Sequence, residues 1–351
     1  MNTDEFLADR RRDSNKRLAA FCAAFRKEIP RRERRELLGD HTCVYAVGSG
    51  GRGELSRRSD IDVFLVTNQE VKRINEVRLQ TAVLRAMRKL GFPDPSNDAS
   101  FVKLHASSTL IERLGEPADD AENTFTVRML LLLESKPVAG SSVHSALLDR
   151  ALDAYWKNAA GHERDYLPII LLNDIIRYWR ILLLNYESKT ASKVRELADA
   201  KGSDKRARMA QLQADRWLRS YKLRFSRSLM CYSSVCYLLA NAHNCRVLTG
   251  TACVTKADVG RMVRLVPLDR LDQSLKWTRD ISGTAPIGIR LRELYAQFLK
   301  TGERDKRQLL QAFGSSAKAK HMKAAEEFGQ QLYELVELIG HGNPLHRYVV
   351  V

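Results

Sequence analysis

The run Val47-Gly-Ser-Gly-Gly-Arg-Gly-Glu-Leu-Ser-Arg-Arg-Ser-Asp-Ile-Asp-Val-Phe-Leu-Val66 constrains this chain more than any other stretch. It is preceded by His41-Thr-Cys-Val-Tyr-Ala, so a β-branched and aromatic segment ends at Gly48 and reads as a buried strand. Ile61-Asp-Val-Phe-Leu-Val-Thr67 reads as a second strand, and the glycines between require a turn. Asp60 and Asp62 are two residues apart, so on a strand their carboxylates share a face, about 7 Å apart along the backbone. Their repulsion is relieved when a divalent cation lies between them, and Mg²⁺ (or Mn²⁺) takes such oxygen ligands together with water and substrate phosphates. Asp60 and Asp62 are therefore the candidate metal ligands and catalytic acids.

Gly48 and Ser49 open the turn, where backbone N–H groups and a hydroxyl can approach a triphosphate. Arg52, Arg57 and Arg58 follow, and Arg52, next to the glycines, is the best placed of them to contact phosphate oxygens; the competing reading is a surface arginine balancing Glu54. The absence of Gly-Lys-Ser/Thr excludes a P-loop, and a strand rather than a long helix after the glycines fits a dinucleotide-binding fold poorly. Metal, carboxylates and triphosphate together suit nucleotidyl transfer to a hydroxyl with release of pyrophosphate.

These residues resemble the polymerase-β-like nucleotidyltransferase superfamily, whose signature is an apolar strand, Gly-Ser, a spacer and Asp-x-Asp in a second strand. The wording Gly-Arg-Gly-Glu-Leu followed by Ser-Asp-Ile-Asp is most similar to bacterial uridylyltransferases and adenylyltransferases that modify nitrogen-signalling proteins. The resemblance covers residues 40–68 well and extends weakly to about 140. It implies a third carboxylate from a neighbouring strand. Here the expected third strand, Ser100–His105, carries Lys103 at its centre; Asp94 and Asp98 are the nearest acids, and Asp98 is the candidate.

Helical periodicity before and after this core predicts an α/β (α+β) nucleotidyltransferase palm followed by an all-α domain: N-terminal helices over 1–38, the palm over 39–145, a basic helical domain over 146–340 and a mobile tail over 341–351. Residues 1–150 hold 25 Lys and Arg against 22 Asp and Glu; residues 151–351 hold 33 against 20. The positive excess of the second part suits a polyanionic partner, an oligonucleotide or a tRNA, or serves solubility alone. No apolar run approaches the roughly 20 residues of a membrane span and nothing reads as a signal peptide, so a cytoplasmic protein without membrane association is expected. Six scattered cysteines without a CxxC pair are expected to be reduced, and the spacing of Cys236, His243, Cys245 and Cys253 matches no standard zinc pattern.

In the helical part, Asn173, Arg177 and Arg180 form a polar stripe that can close over a nucleotide or serve as an inter-helix salt bridge. Arg216–Arg227 interleaves basic residues with Trp217, Tyr221 and Phe225, which suits base stacking or a helix with those rings in its core. Tyr348, near the terminus, is an acceptor candidate. Chain length, an N-terminal transferase domain, a basic helical half and this tail resemble the nucleotidyltransferases of Hailong antiphage systems, which implies ATP binding and DNA synthesis in the form of deoxyadenylate oligomers built on a C-terminal tyrosine, with an effector protein as a further partner. The expected function is oligonucleotide synthesis in antiviral defence. Single nucleotidylation of a protein or tRNA, and an idle nucleotide-sensing module, are the alternatives.

Overall fold

The computed structural model describes residues 2–93, 102–162, 164–198 and 205–350. The chain divides into two compact units: residues 1–166 with 255–266, and residues 167–254 with 267–351. The first division falls later than the expected boundary near 140–150, and a short downstream segment returns to the first unit.

The first unit is built on a four-stranded mixed sheet in the order β3-β2-β1-β4, with β1 Thr42–Val47, β2 Asp62–Thr67, β3 Leu104–Ala106 and β4 Lys136–Ala139. β1 and β2 are antiparallel, with Val47 opposite Asp62; β2 and β3 are parallel, with Leu65 beside Leu104. The helix Arg73–Lys89 lies in the crossover between these parallel strands, as a parallel pair requires. The expected third strand is shorter and later than Ser100–His105, and Lys103 is exposed just before it. The sequence around Pro137 reads as a break between helices, yet Lys136–Ala139 forms β4. A proline is tolerated there because the strand is at the sheet edge, where a missing N–H leaves no ladder bond unmade.

Alternation along the strands makes two buried layers. Val44, Ala46, Val63 and Leu65 pack with Phe21 and Phe25 of the helix Thr3–Glu28 and with Leu79 and Val83 of the helix Arg73–Lys89. On the opposite face Tyr45 stacks on Phe64 with ring centroids 5.8 Å apart, and His144 of the helix Ser141–Tyr155 lies 5.4 Å from Tyr45. The helix Thr124–Glu134 is held by Arg128, which is wholly buried and donates to Asp119 at 3.0 and 2.5 Å and to the Leu110 carbonyl at 3.0 Å.

Burial holds the His144 imidazole down to about 4, with Arg264 acting in the same direction. The Ser135 hydroxyl lies 2.6 Å from the Leu131 carbonyl, so its oxygen is left to accept from His144 Nε2 at 2.9 Å, which suits the neutral ring. An unfolded chain protonates this histidine near 6.5, so its contribution to folding is complete above that pH and is lost as pH falls towards 4. Thermal melts between pH 7 and pH 4.5 should fall less steeply for His144→Gln than for the native chain. Identical slopes would remove His144 from the account.

Among the described residues the regular structure of the second unit is all helical, led by Ile169–Ala198, Lys205–Lys222 and Ser228–Thr249. A π-helical turn, Leu223–Arg227, interrupts what periodicity reads as one helix from Lys205 to Asn241. Tyr221 and Phe225 are buried and face Phe298, Phe313 and Phe328, so these two rings are core rather than stacking platforms. The helices Pro267–Trp277, Thr284–Thr301 and Lys306–Phe313 complete this unit together with Lys318–Gly340. The segment expected as a mobile tail is packed instead: Asn343 donates to the Leu239 carbonyl at 2.8 Å, Leu345 is fully buried, and a last helical turn spans Arg347–Val350. No helix among the described residues is long and apolar enough to cross a membrane.

Candidate active site

Antiparallel pairing sets the geometry of the glycine turn. With Val47 opposite Asp62, the end of β1 and the start of β2 lie side by side at one end of the two central strands. The chain leaves β1 through Gly48 at φ +63°, a conformation costly for any residue with a side chain. A Cβ placed there would stand 2.8 Å from Asp62 Oδ2, so the carboxylate lies directly against the glycine. Gly48–Gly51 then makes one helical turn, closed by Arg52 N–H to the Gly48 carbonyl at 3.0 Å and Glu54 N–H to the Ser49 carbonyl at 2.8 Å.

Ser49 is half-buried, and its hydroxyl donates to the Asp60 carbonyl at 3.4 Å, tying the turn to the approach of β2. Asp60 is exposed, Ile61 is buried and Asp62 is half-buried; β2 begins only at Asp62, so Asp60 stands two residues before the strand and not on it as expected. The turn thus meets the Asp62 carboxylate at Gly48 and the Asp60 backbone carbonyl at Ser49. Among the described residues no three His, Cys, Asp or Glu side chains gather as a metal site. Asp98, the candidate third carboxylate, lies outside the described residues, as does Asp94.

Two of the expected phosphate contacts are engaged elsewhere. The Gly48 N–H donates to Glu134 Oε1 at 3.1 Å, and Arg52 Nη1 donates to Glu134 Oε2 at 2.5 Å. Arg52 Nε also donates to Glu54 at 2.8 Å. The Arg52 side chain is 7% exposed and that of Glu134 is fully buried, so this guanidinium braces the turn from within instead of facing a ligand. The physical reason is that two carboxylates withdrawn from water need a cation, and Arg52 supplies five donors in a planar fork. Arg57 and Arg58, in contrast, are exposed on the loop.

Glu134 escapes sequence reading because it closes a helix whose preceding residues are Met129-Leu-Leu-Leu-Leu133. The available signal is an acid appended to a fully apolar run, where burial without a partner would be prohibitive. The remaining predicted site residues belong to the second unit. Arg177 lies on the helix Ile169–Ala198, 3.7 Å from Asp174 one turn earlier, and Tyr348 on the terminal turn accepts from Arg347 at 2.7 Å.

A comparison with known families bears on this turn. Residues 28–122 match the model of the nucleotidyltransferase domain. The matched span contains both strands of the glycine turn, Ser49, Asp60 and Asp62, and it ends before Glu134. No curated protein and no solved structure matches the chain. A nucleotidyltransferase domain supports a general nucleotidyl transfer activity of the pyrophosphate-releasing kind and a nucleoside triphosphate as substrate.

Proposed function

We propose that this protein transfers a nucleoside monophosphate from a nucleoside or deoxynucleoside triphosphate to a hydroxyl, and that it builds a short oligonucleotide. The observation that carries the reading is the Asp62 carboxylate seated against Gly48, at the mouth of a turn that also presents Ser49. Hard oxygen donors and a half-open position suit Mg²⁺ or Mn²⁺, which takes one or two carboxylates and leaves its other positions to water and substrate phosphates. Asp60 and Asp62 would hold it, with Asp98 as the third acid; the ion supplies charge neutralisation for the pyrophosphate leaving group. The Ser49 hydroxyl positions the triphosphate, while Glu134 and Arg52 keep the glycine turn in its left-handed start. Arg57 and Arg58, exposed on the loop, are the cations that would meet the outer phosphate oxygens.

The choice of an oligonucleotide product rests on charge. The second unit holds 28 Lys and Arg against 16 Asp and Glu, a field that retains a growing polyanion. A role in antiphage defence, with Tyr348 as primer and deoxyadenylate as product, follows the architectural resemblance and belongs to the same proposal; Arg177 is its candidate nucleotide contact in this unit.

Incubation with each of the labelled ribo- and deoxyribonucleoside triphosphates and Mg²⁺ or Mn²⁺ tests the reading. A ladder supports synthesis of an oligomer. One shifted band on a protein or tRNA acceptor replaces it with single transfer, and tight binding without product makes the chain a nucleotide sensor. Tyr348→Phe should remove a protein-linked ladder. A ladder still attached to the variant chain excludes this tyrosine as primer.

A further inference from the structure

The six cysteines fall into two groups. Cys43, Cys231 and Cys236 are buried, and burial pushes the thiols of Cys43 and Cys236 up to about 12, so they have little thiolate and little access. Cys22 is half-buried, and its thiol is likewise raised by burial. Cys245 and Cys253 differ: both are half-buried at the surface of the second unit, and their sulfurs lie 2.8 Å apart.

This approach follows from the way a helix ends. Cys245 occupies the last turns of the helix Ser228–Thr249, which stops at Gly250 in the left-handed region, φ +81°, with the Gly250 N–H donating to the Arg246 carbonyl at 2.8 Å. The Thr249 hydroxyl lies 2.9 Å from the Cys245 carbonyl and 3.1 Å from that of Thr251, and it accepts the Thr251 N–H at 3.4 Å. The chain is thus turned back on the helix it has just left. Cys253 follows two residues after Thr251, beside Cys245.

We propose that Cys245 and Cys253 are a thiol pair that a hydroperoxide converts to an intramolecular disulfide. One thiol is oxidised to a sulfenic acid as the peroxide is reduced, releasing water (or an alcohol from an organic peroxide). The second sulfur attacks the sulfenic sulfur, the S–S bond forms, and a second water departs. The bond clips the last turns of the helix to the segment ending at Val254, where the chain leaves the second unit. Thiol reductants such as dithiothreitol reverse it. The pair is a modification site independent of the nucleotidyl-transfer reading, and it needs no metal or nucleotide.

The test uses the full chain, reduced, desalted and exposed to a few equivalents of hydrogen peroxide without denaturant. Two thiols per chain should disappear and the intact mass should drop by two hydrogens. Trypsin cuts after Arg227, Arg246 and Lys256, so the product should be a Ser228–Arg246 peptide joined to Val247–Lys256, with fragmentation placing the link at Cys245. Cys231→Ser with Cys236→Ser should leave the link intact, whereas Cys245→Ser should abolish it while preserving the fold by circular dichroism. The oxidised native chain should also melt higher than its reduced form, and the Cys245→Ser chain should show no such rise. Six surviving thiols, a link from Cys253 to another cysteine, or disulfide-joined dimers on a non-reducing gel would each overturn the assignment.

Discussion

Asp62→Asn is expected to reduce nucleotidyl transfer by at least about 10²-fold, the scale seen when a group that stabilises developing charge at a reacting centre is lost. The replacement keeps the shape and one acceptor oxygen of the side chain, so the turn at Gly48 retains its neighbour. What disappears is the negative charge, and with it a hard ligand for a divalent cation. The parallel change at Asp60 should act on the same step with less effect on folding, because that side chain is exposed. The discriminating measurement is a comparison of turnover at saturating triphosphate with the thermal midpoint. A midpoint near that of the native chain with turnover lost supports a role at the reacting centre. Undiminished turnover in both variants would refute the assignment of the two acids, and equal loss of turnover and stability would make Asp62 a structural residue.

Gly51→Ala carries the second large expected effect. A Cβ at this position would stand 1.5 Å from the backbone carbonyl oxygen of Glu134, and main chain cannot swing aside as a side chain does. Either the glycine turn or the end of the helix Thr124–Glu134 must shift, which costs about 3 kcal/mol or more and is expected to lower the midpoint by roughly 10 °C. The same shift separates Glu134 from the Gly48 N–H and from Arg52, so transfer should fall with stability. Gly329→Ala is the control. It lies mid-helix with nothing within 4 Å of the added methyl, and alanine there should be neutral or stabilising by up to about 1 kcal/mol. If Gly51→Ala melts like the Gly329 variant, the packing of the turn on Glu134 is not what the geometry indicates.

The two strands flanking the turn were legible because local chemistry alone specifies them. Valine, tyrosine and phenylalanine favour a pleated surface, and glycine at the exit of β1 admits the positive φ that the reversal needs. The helical character of the second part was legible from periodicity for the same reason. β4 was not, since Lys136–Ala139 carries a proline and little pattern of its own; only the open edge of β1 makes it a strand. The return of residues 255–266 to the first unit and the packing of residues 343–345 are also tertiary, as each depends on partners far away in the chain.

By itself the sequence determined that a strand, a glycine turn and a second strand would form, because each of those choices is made within a few residues; that the second strand opens at Asp62 and leaves Asp60 before it was not legible. Tertiary structure alone decided which groups of that turn remain available to a ligand. Glu134, 86 residues beyond Gly48, takes the Gly48 amide and the Arg52 guanidinium into the interior, since a buried carboxylate must find donors wherever the fold provides them.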